Sequence, residues 1–131
     1  MNDKSPFTGS RFAGGNWDNG FDLHFHRQGE TVVAQFSFKE HHQGPPNIAH
    51  GGAIAALIDE SMTVATFVFD LQPAYTVNLD INYRSPIHIG DSIRISAHIV
   101  NVDGRKVYLK SEILLPNDTL ATEADGLFLR I

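Results

Sequence analysis

One segment of the chain places groups that can do chemistry beside a long apolar run. It opens with a His-Gly-Gly motif at residues 50–52, continues through six apolar residues and reaches Asp59 and Glu60. Apolar residues resume afterwards, so residues 49–69 predict a helix that is apolar nearly all round and lies inside the fold. An ionised carboxylate there costs several kcal/mol unless a partner pairs with it. Asp59 and Glu60 therefore either belong to a structural network or take part in a reaction.

The spacing of His50 and Asp59 limits how they can cooperate. Nine residues of helix correspond to a rise of about 13.5 Å and a rotation of about 180°. The two side chains therefore cannot meet in one site within one chain. Two such helices packed antiparallel across a two-fold axis would bring His50 of one chain to Asp59 of the other, because a symmetric dimer repeats each contact twice. The spacing predicts a homodimer with two shared sites.

The elements around this helix are predicted to be strands. Residues 1–20 are rich in Gly, Asn, Asp and Ser and indicate a loop or arm, which leaves residues 21–131 as the folded domain. Alternating apolar residues and turn signals predict strands at 21–26, 31–38, 75–83, 92–102, 106–115 and 119–131. About six strands and one long helix predict an α+β fold with an antiparallel sheet.

Composition excludes several classes of function. The chain has 131 residues, the size of one domain, and a net charge of −5, which provides no basic surface for nucleic acid. It has no cysteine, which excludes a disulfide framework and a thiol nucleophile and suits a reducing cytoplasm. Residues 1–9 carry no apolar signal run, and polar residues interrupt the long helix, so we expect a cytoplasmic protein without a membrane span.

Several motifs occur in an order that indicates a family. They are Gly44-Pro45-Pro46-Asn47-Ile48-Ala49-His50-Gly51-Gly52, Asp59, Thr76-Val77-Asn78-Leu79-Asp80-Ile81-Asn82-Tyr83-Arg84-Ser85-Pro86 and Gly104-Arg105-Lys106. From about residue 43 to residue 131 the sequence resembles the hotdog-fold acyl-CoA thioesterases of the phenylacetate-pathway (PaaI-like) type, especially the thioesterase-superfamily-member branch. This resemblance implies a sheet curled around the helix, sites at a dimer interface, an acyl-CoA substrate and no cofactor. It also allows a dimer of dimers.

The resemblance implies roles for the helix residues. Asp59 would attack the thioester carbonyl or activate the attacking water. Gly51 and Gly52 lie where a helix exposes unpaired N–H groups, so Gly52 N–H would hold the oxyanion. His50 would hold the carbonyl, orient the loop or bond to the carboxylate. The alternatives are that the glycines only allow tight packing and that His50 is a capping residue.

The resemblance also implies a supporting residue on a strand. Thr76 lies where relatives carry a Ser or Thr that bonds the water or the carboxylate. Period two predicts that Asn78, Asp80 and Asn82 share the face of Thr76, at solvent or at a subunit interface. Glu60, on another face of the helix from Asp59, is predicted to serve a subunit contact or an ion pair.

The substrate-binding candidates come from loops and strand ends. Relatives carry an Asn or Gln six or seven residues before the His, where this chain has Gly44 and Gln43, so Gln43 takes that role by default; Asn47 is a further candidate. Coenzyme A carries three phosphates, which call for cations at the site entrance. These are predicted to be Arg84, Arg105 and Lys106, although without the resemblance they would be surface charge.

The sequence allows two alternatives to metal-free thioester hydrolysis. Seven histidines raise the possibility of a metal, with His24 and His26 on one strand face and His41 beside His42, but no third ligand follows at a usual spacing. We therefore predict no metal. A non-catalytic acyl-CoA-binding or regulatory hotdog module is the alternative to an enzyme. It has no need of a buried carboxylate, so Asp59 favours the enzyme.

Overall fold

The fold of this protein, seen in a computed structural model, is described for residue 21 and residues 23–131. The predicted arm at residues 1–20 lies outside the described residues. The elements in chain order are β1 His26–Gln28, β2 Thr31–Phe36, a 3₁₀ turn at Glu40–His42, α1 Gly51–Ala65, a π-helical turn at Thr66–Asp70, β3 Ala74–Tyr83, β4 Ile93–Asp103, β5 Lys106–Leu114 and β6 Leu120–Arg130.

The described strands form one antiparallel sheet that packs on the helix. Their order is β1-β2-β4-β5-β6-β3, so β3 and β1 are the two edges. Helix α1 contacts every strand from β2 to β6, and its apolar side chains form one core with the inward residues of the sheet. The predicted α+β fold, with about six antiparallel strands around one long helix, is confirmed.

The strand predicted at residues 21–26 is the least accurate of the sequence-based elements. Leu23 and Phe25 are buried whereas His24 and His26 are exposed, as the alternation requires, but continuous pairing begins only at His26. Phe21 turns its ring edge-on to Phe36 at 5.4 Å between centroids. The alternation in this segment therefore reports burial against the core, and regular strand pairing is confined to its last residues.

The helix begins two residues later than predicted, because His50 caps it. His50 has extended backbone angles, and its side-chain Nδ1 accepts a hydrogen bond from Gly52 N–H at 2.8 Å. The helical segment Gly51–Asp70 has a mean hydropathy of 1.5 and is long enough to cross a membrane, but 56% of its most apolar window is buried in the fold. Core helices of this kind pass the same test.

Glu60 corrects a prediction made from helix periodicity. Its side chain is 4% exposed within the single chain, so the proposed subunit contact is wrong. Asp59 is only partly buried. Glu60 therefore lies in the core of its own chain. Asp59 lies where the helix meets the edge strand. An ion pair for Glu60 stays a prediction.

A glycine on β6 makes room for a core side chain of the helix. A Cβ added at Gly126 would lie 2.3 Å from the Met62 sulfur, which is too close for any real contact. Met62 is fully buried, so its side chain occupies the space that a larger residue on β6 would take.

A buried histidine supports the loop that leads into the helix. The His42 carbonyl accepts the His50 N–H at 2.8 Å, and His42 Nδ1 accepts the Lys39 N–H at 2.9 Å. The ring packs among Phe21, Phe36 and Phe38, and its buried Nε2 has no hydrogen-bond partner among the described residues. Burial, together with the neighbouring charges of His41 and Lys39, lowers the pKa of His42 from 6.5 to about 4.

We predict that His42 makes the protein acid-sensitive. Between pH 6.5 and pH 4 the unfolded chain binds a proton at His42 that the folded chain does not, so stability falls as the pH falls through this window. His42→Asn should remove up to about 3 kcal/mol of the stability difference between pH 7 and pH 4. Urea unfolding at a series of pH values measures it.

The matched control is His98→Asn, at an exposed histidine of β4. This variant should keep the acid sensitivity of the wild type, because His98 is exposed and is not among the charges that lower the pKa of His42. If His42→Asn lost as much stability as the wild type over the same pH window, the histidine would not be the cause.

Candidate active site

The centre of the candidate site is a hydrogen bond between the helix and the edge strand. Thr76 Oγ1 donates to Asp59 Oδ1 at 2.6 Å. Thr63, one turn further along α1, donates its hydroxyl to the Asp59 carbonyl at 3.0 Å. The carboxylate is therefore held by a neutral hydroxyl, and no cation is seen to bond it among the described residues. Its second oxygen is free to act on a substrate or a water.

A β-bulge in β3 aims Thr76 at the helix. Thr76 lies opposite Phe128 of β6, whereas Asn78 lies opposite the next residue, Leu127, so the register shifts between them. Beyond the shift, Leu79 lies opposite Gly126 and shares the helix-facing side with Thr76. The bulge therefore inverts the alternation of all later residues relative to Thr76.

The predicted polar face of β3 is wrong for this reason. Asn78, Asp80 and Asn82 lie on the outer, exposed face of the sheet, opposite to the face that carries Thr76. Period two fails because one extra residue, Val77, is inserted into the strand. The part of the prediction that placed these three side chains at an exposed surface agrees with the structure.

The helix start places His50 and the two glycines, with one correction to their predicted roles. Gly52 N–H is already bonded to His50 Nδ1, so it cannot hold an oxyanion without breaking the cap. Gly51 N–H has no acceptor in the part of the chain that the structure describes. Among the described residues, Gly51 and Ala53 therefore carry the N–H groups without an acceptor at this helix end, and His50 acts as the capping residue that the sequence left as an alternative.

Tyr83 belongs to this site, although the sequence marks it only as one member of the motif at residues 76–86. Its hydroxyl donates to the Gly51 carbonyl at 2.8 Å. A Cβ on Gly51 would lie 3.8 Å from the Tyr83 ring, so the ring rests beside the helix start. The residue lies seven positions after Thr76, and strict alternation would put the two on opposite faces. The bulge brings both to the helix, and no sequence signal marks it.

The loop before the helix holds itself together and does not present Gln43 as predicted. Gln43 Oε1 accepts the Asn47 N–H at 2.8 Å, and Asn47 has a left-handed φ of 67°. Both residues shape the turn. The position beside His50 is that of Gly44, where an added Cβ would lie 3.2 Å from His50 Cα. Residue 44, and not residue 43, occupies the place next to the histidine.

The three predicted phosphate-binding cations do not lie together in one chain. Arg84 donates to Glu123 at 3.0 Å, and this hydrogen bond holds the pKa of the carboxyl below its ordinary value. Arg105 donates to the Arg130 carbonyl at 3.0 Å, next to exposed Lys106. The ends of β6 that adjoin Arg84 and Lys106 are seven residues, or about 23 Å, apart.

The two halves of the site are likewise separated within one chain. The His50 end of α1 lies beside the end of β3 at Tyr83, and Asp59 lies beside its beginning at Thr76. Among the described residues no group of three or more His, Asp or Glu side chains could hold a metal ion. The functional groups available for a reaction are one oriented carboxylate, one imidazole and a free N–H at the helix start.

Comparisons with known proteins place this arrangement in a family. A family model described as the thioesterase superfamily matches residues 46–122, a range that includes His50, Asp59 and Thr76. Acyl-coenzyme A thioesterase THEM4 of Xenopus laevis is 33% identical over 110 residues, which are 83% of this chain and 49% of the relative. The chain thus spans about half the length of this relative and of the THEM4 proteins of Mus musculus and Rattus norvegicus, which it also matches.

Solved structures confirm the hotdog fold. The PaaI protein of E. coli, from the phenylacetic acid degradation operon, has a TM-score of 0.77 at 17% identity and covers 84% of each chain. A protein of Streptococcus mutans UA159, solved with acetyl CoA bound, has a TM-score of 0.76 at 16% identity, covering 83% of this chain and 88% of the other. The PaaI-like resemblance seen in the sequence is confirmed.

Proposed function

The chain belongs to the thioesterase superfamily, and from that premise we propose that it hydrolyses an acyl-CoA thioester to a free carboxylic acid and coenzyme A. The observation that carries the proposal is the Asp59 carboxylate, partly buried on the core helix and oriented by the Thr76 hydroxyl at 2.6 Å. The similarity to acyl-coenzyme A thioesterases and to a protein solved with acetyl CoA supports the substrate class.

Asp59 is the group that acts on the thioester. Thr76 occupies Oδ1, which leaves Oδ2 to attack the carbonyl carbon or to take a proton from a water that attacks it. Attack by Asp59 gives an acyl anhydride and releases the coenzyme A thiolate, and water then frees the acid. With Asp59 as base, the activated water adds to the carbonyl carbon. Elimination of the coenzyme A thiolate then gives the acid. The hydrogen bond from Thr76 orients the carboxylate in either route.

The carbonyl oxygen needs donors on its other side. His50 uses Nδ1 for the helix cap, so its exposed Nε2–H is available as a donor. Gly51 N–H, at the positive end of the helix dipole, is the second donor. Together they stabilise the negative charge that develops on the oxygen during attack. This assignment replaces Gly52 with Gly51 as the backbone donor.

A second copy of the chain completes the site. The outer edge of β3 has no neighbouring strand within the described chain, and two such edges can pair antiparallel about a two-fold axis. That axis brings His50 and Gly51 of one chain towards Asp59 and Thr76 of the other, since the two groups lie at opposite ends of β3.

The same two-fold axis would bring the three predicted phosphate-binding cations to one site entrance. Arg84 lies at the His50 end of β3, and Arg105 and Lys106 lie near the Thr76 end. Across the dimer, Arg84 of one chain and Arg105 and Lys106 of the other share one site entrance, where they bind the phosphates of coenzyme A. A dimer of dimers and a cytoplasmic location are further parts of this proposal.

We predict that Asp59→Asn abolishes hydrolysis without unfolding the protein. The amide keeps the shape and still accepts from Thr76, but it can neither attack the thioester nor take a proton. Turnover of a panel of acyl-CoA substrates, followed by release of free thiol, should fall on the order of a hundredfold or more. Substrate protection against thermal unfolding should persist.

Asp118→Asn is the matched control, because this exposed aspartate lies in a turn with a φ of 67° that asparagine adopts equally well. It should leave turnover unchanged. Near wild-type turnover in Asp59→Asn would remove Asp59 from the mechanism. Binding of acyl-CoA by the wild type without any thiol release would instead identify a non-catalytic acyl-CoA-binding module.

We predict that two inactive variants restore each other in mixed dimers. A dimer of one Asp59→Ala chain and one His50→Ala chain has one site with both residues intact and one with neither. Random exchange makes about half of the dimers mixed, so activity should recover to about a quarter of the wild type. The measurement is thioester hydrolysis after co-refolding of the two chains.

Native mass spectrometry confirms that mixed dimers have formed, and each variant refolded alone is the control for residual activity. If confirmed mixed dimers were as inactive as their parents, His50 and Asp59 would not cooperate across an interface. The site would then have to be assembled within one chain or without His50.

A further inference from the structure

We propose that Tyr83 is a positioning residue for the reaction, because it acts through one peptide group to hold the His50 ring as its Nε2–H tautomer. This inference rests on the proposed hydrolysis and adds a residue to it. It starts from two hydrogen bonds that meet on the same peptide group. Tyr83 donates to the carbonyl of Gly51, and the amide N–H on the other side of that peptide, Gly52 N–H, donates to His50 Nδ1.

The two bonds form a continuous chain. The Tyr83 hydroxyl lies 2.8 Å from Gly51 O, and Gly52 N lies 2.8 Å from His50 Nδ1. A donor on the carbonyl oxygen of an amide withdraws electron density from its N–H and makes that N–H a stronger donor, since hydrogen bonds in series polarise one another. Tyr83 thereby strengthens the bond that fixes the imidazole ring.

The bond to Nδ1 determines where the proton of the neutral ring resides. A nitrogen that accepts an N–H group carries no proton, so the proton is on Nε2. The Nε2–H then faces away from the helix cap as a donor for the thioester oxygen. The other tautomer would bring two N–H groups together at the cap and present a lone pair to the oxygen, which repels it.

The Tyr83 ring makes little packing contact within its own chain. It is 52% exposed at the end of the edge strand, and its ring rests beside Gly51, which has no side chain to contact. Its distinguishing contact is therefore the hydroxyl hydrogen bond. This bond also ties β3, which carries Thr76 at its other end, to the helix start that carries His50.

The test is Tyr83→Phe, which removes the hydroxyl and keeps the ring. We expect kcat to fall about three- to tenfold, as expected for loss of one hydrogen bond that supports the transition state, with KM changed less than about twofold. Thermal stability should stay close to that of the wild type. Tyr108→Phe, on the outer face of β5, is the matched control and should change none of these quantities.

The second readout is the nitrogen chemical shifts of the His50 ring, measured by NMR on uniformly labelled protein and assigned by their loss in His50→Gln. The wild type should show a ring protonated on Nε2 alone near neutral pH. In Tyr83→Phe the shifts should move towards a mixture of tautomers, and the Gly52 amide proton should move towards the position of a weaker hydrogen bond.

Each outcome decides the proposal. A wild-type ring protonated on Nδ1 overturns it, and so does Tyr83→Phe with unchanged kcat, or with a lower kcat and unchanged ring shifts. If the wild type hydrolyses no thioester, the proposed function fails. The ring and amide shifts still report in that case whether Tyr83 controls the His50 tautomer, so the two failures are distinguishable.

Discussion

The hydrogen bond from Thr76 to Asp59 is the interaction on which the candidate site depends. It requires a carboxylate at the edge of a core helix and a hydroxyl on the facing strand at 2.6 Å. The strand meets this requirement through its bulge, which turns Thr76 towards the helix. A hydroxyl orients the carboxylate without neutralising its negative charge, whereas a cation in an ion pair would neutralise it.

The length of the helix imposes the second constraint. The carboxylate and the groups proposed to polarise the carbonyl lie about 12 Å apart along α1, beside opposite ends of β3. One chain therefore holds two half-sites. In the dimer that we propose, the outer edge of β3, which has no neighbouring strand among the described residues, unites the two half-sites, and the same pairing brings Arg84 of one chain to Lys106 of the other.

The start of the helix shows how a structural device can also prepare a reactive group. A His cap on Gly52 satisfies one orphan N–H, as any good cap does, and it simultaneously sets the tautomer of the ring. Tyr83 joins this cap to the edge strand through the Gly51 carbonyl. Gly44 leaves room beside the His50 ring, and the buried His42 supports the His50 backbone. In the mechanism that we propose, the surroundings of His50 thus combine helix capping with substrate polarisation.

Hydrophobic periodicity and motif order were sufficient to determine the fold class, five of the strands to within a residue or two, the central helix and the association of Thr76 with Asp59. These features depend on local pattern and on which side chains must be buried. The tertiary structure alone decided which face of β3 carries which residue, because a single inserted residue at Val77 inverts the alternation without leaving a sequence signal. It also decided that Glu60 is buried and that Gly52 N–H is occupied, because both depend on contacts and dihedral angles that the spacing of residues does not encode.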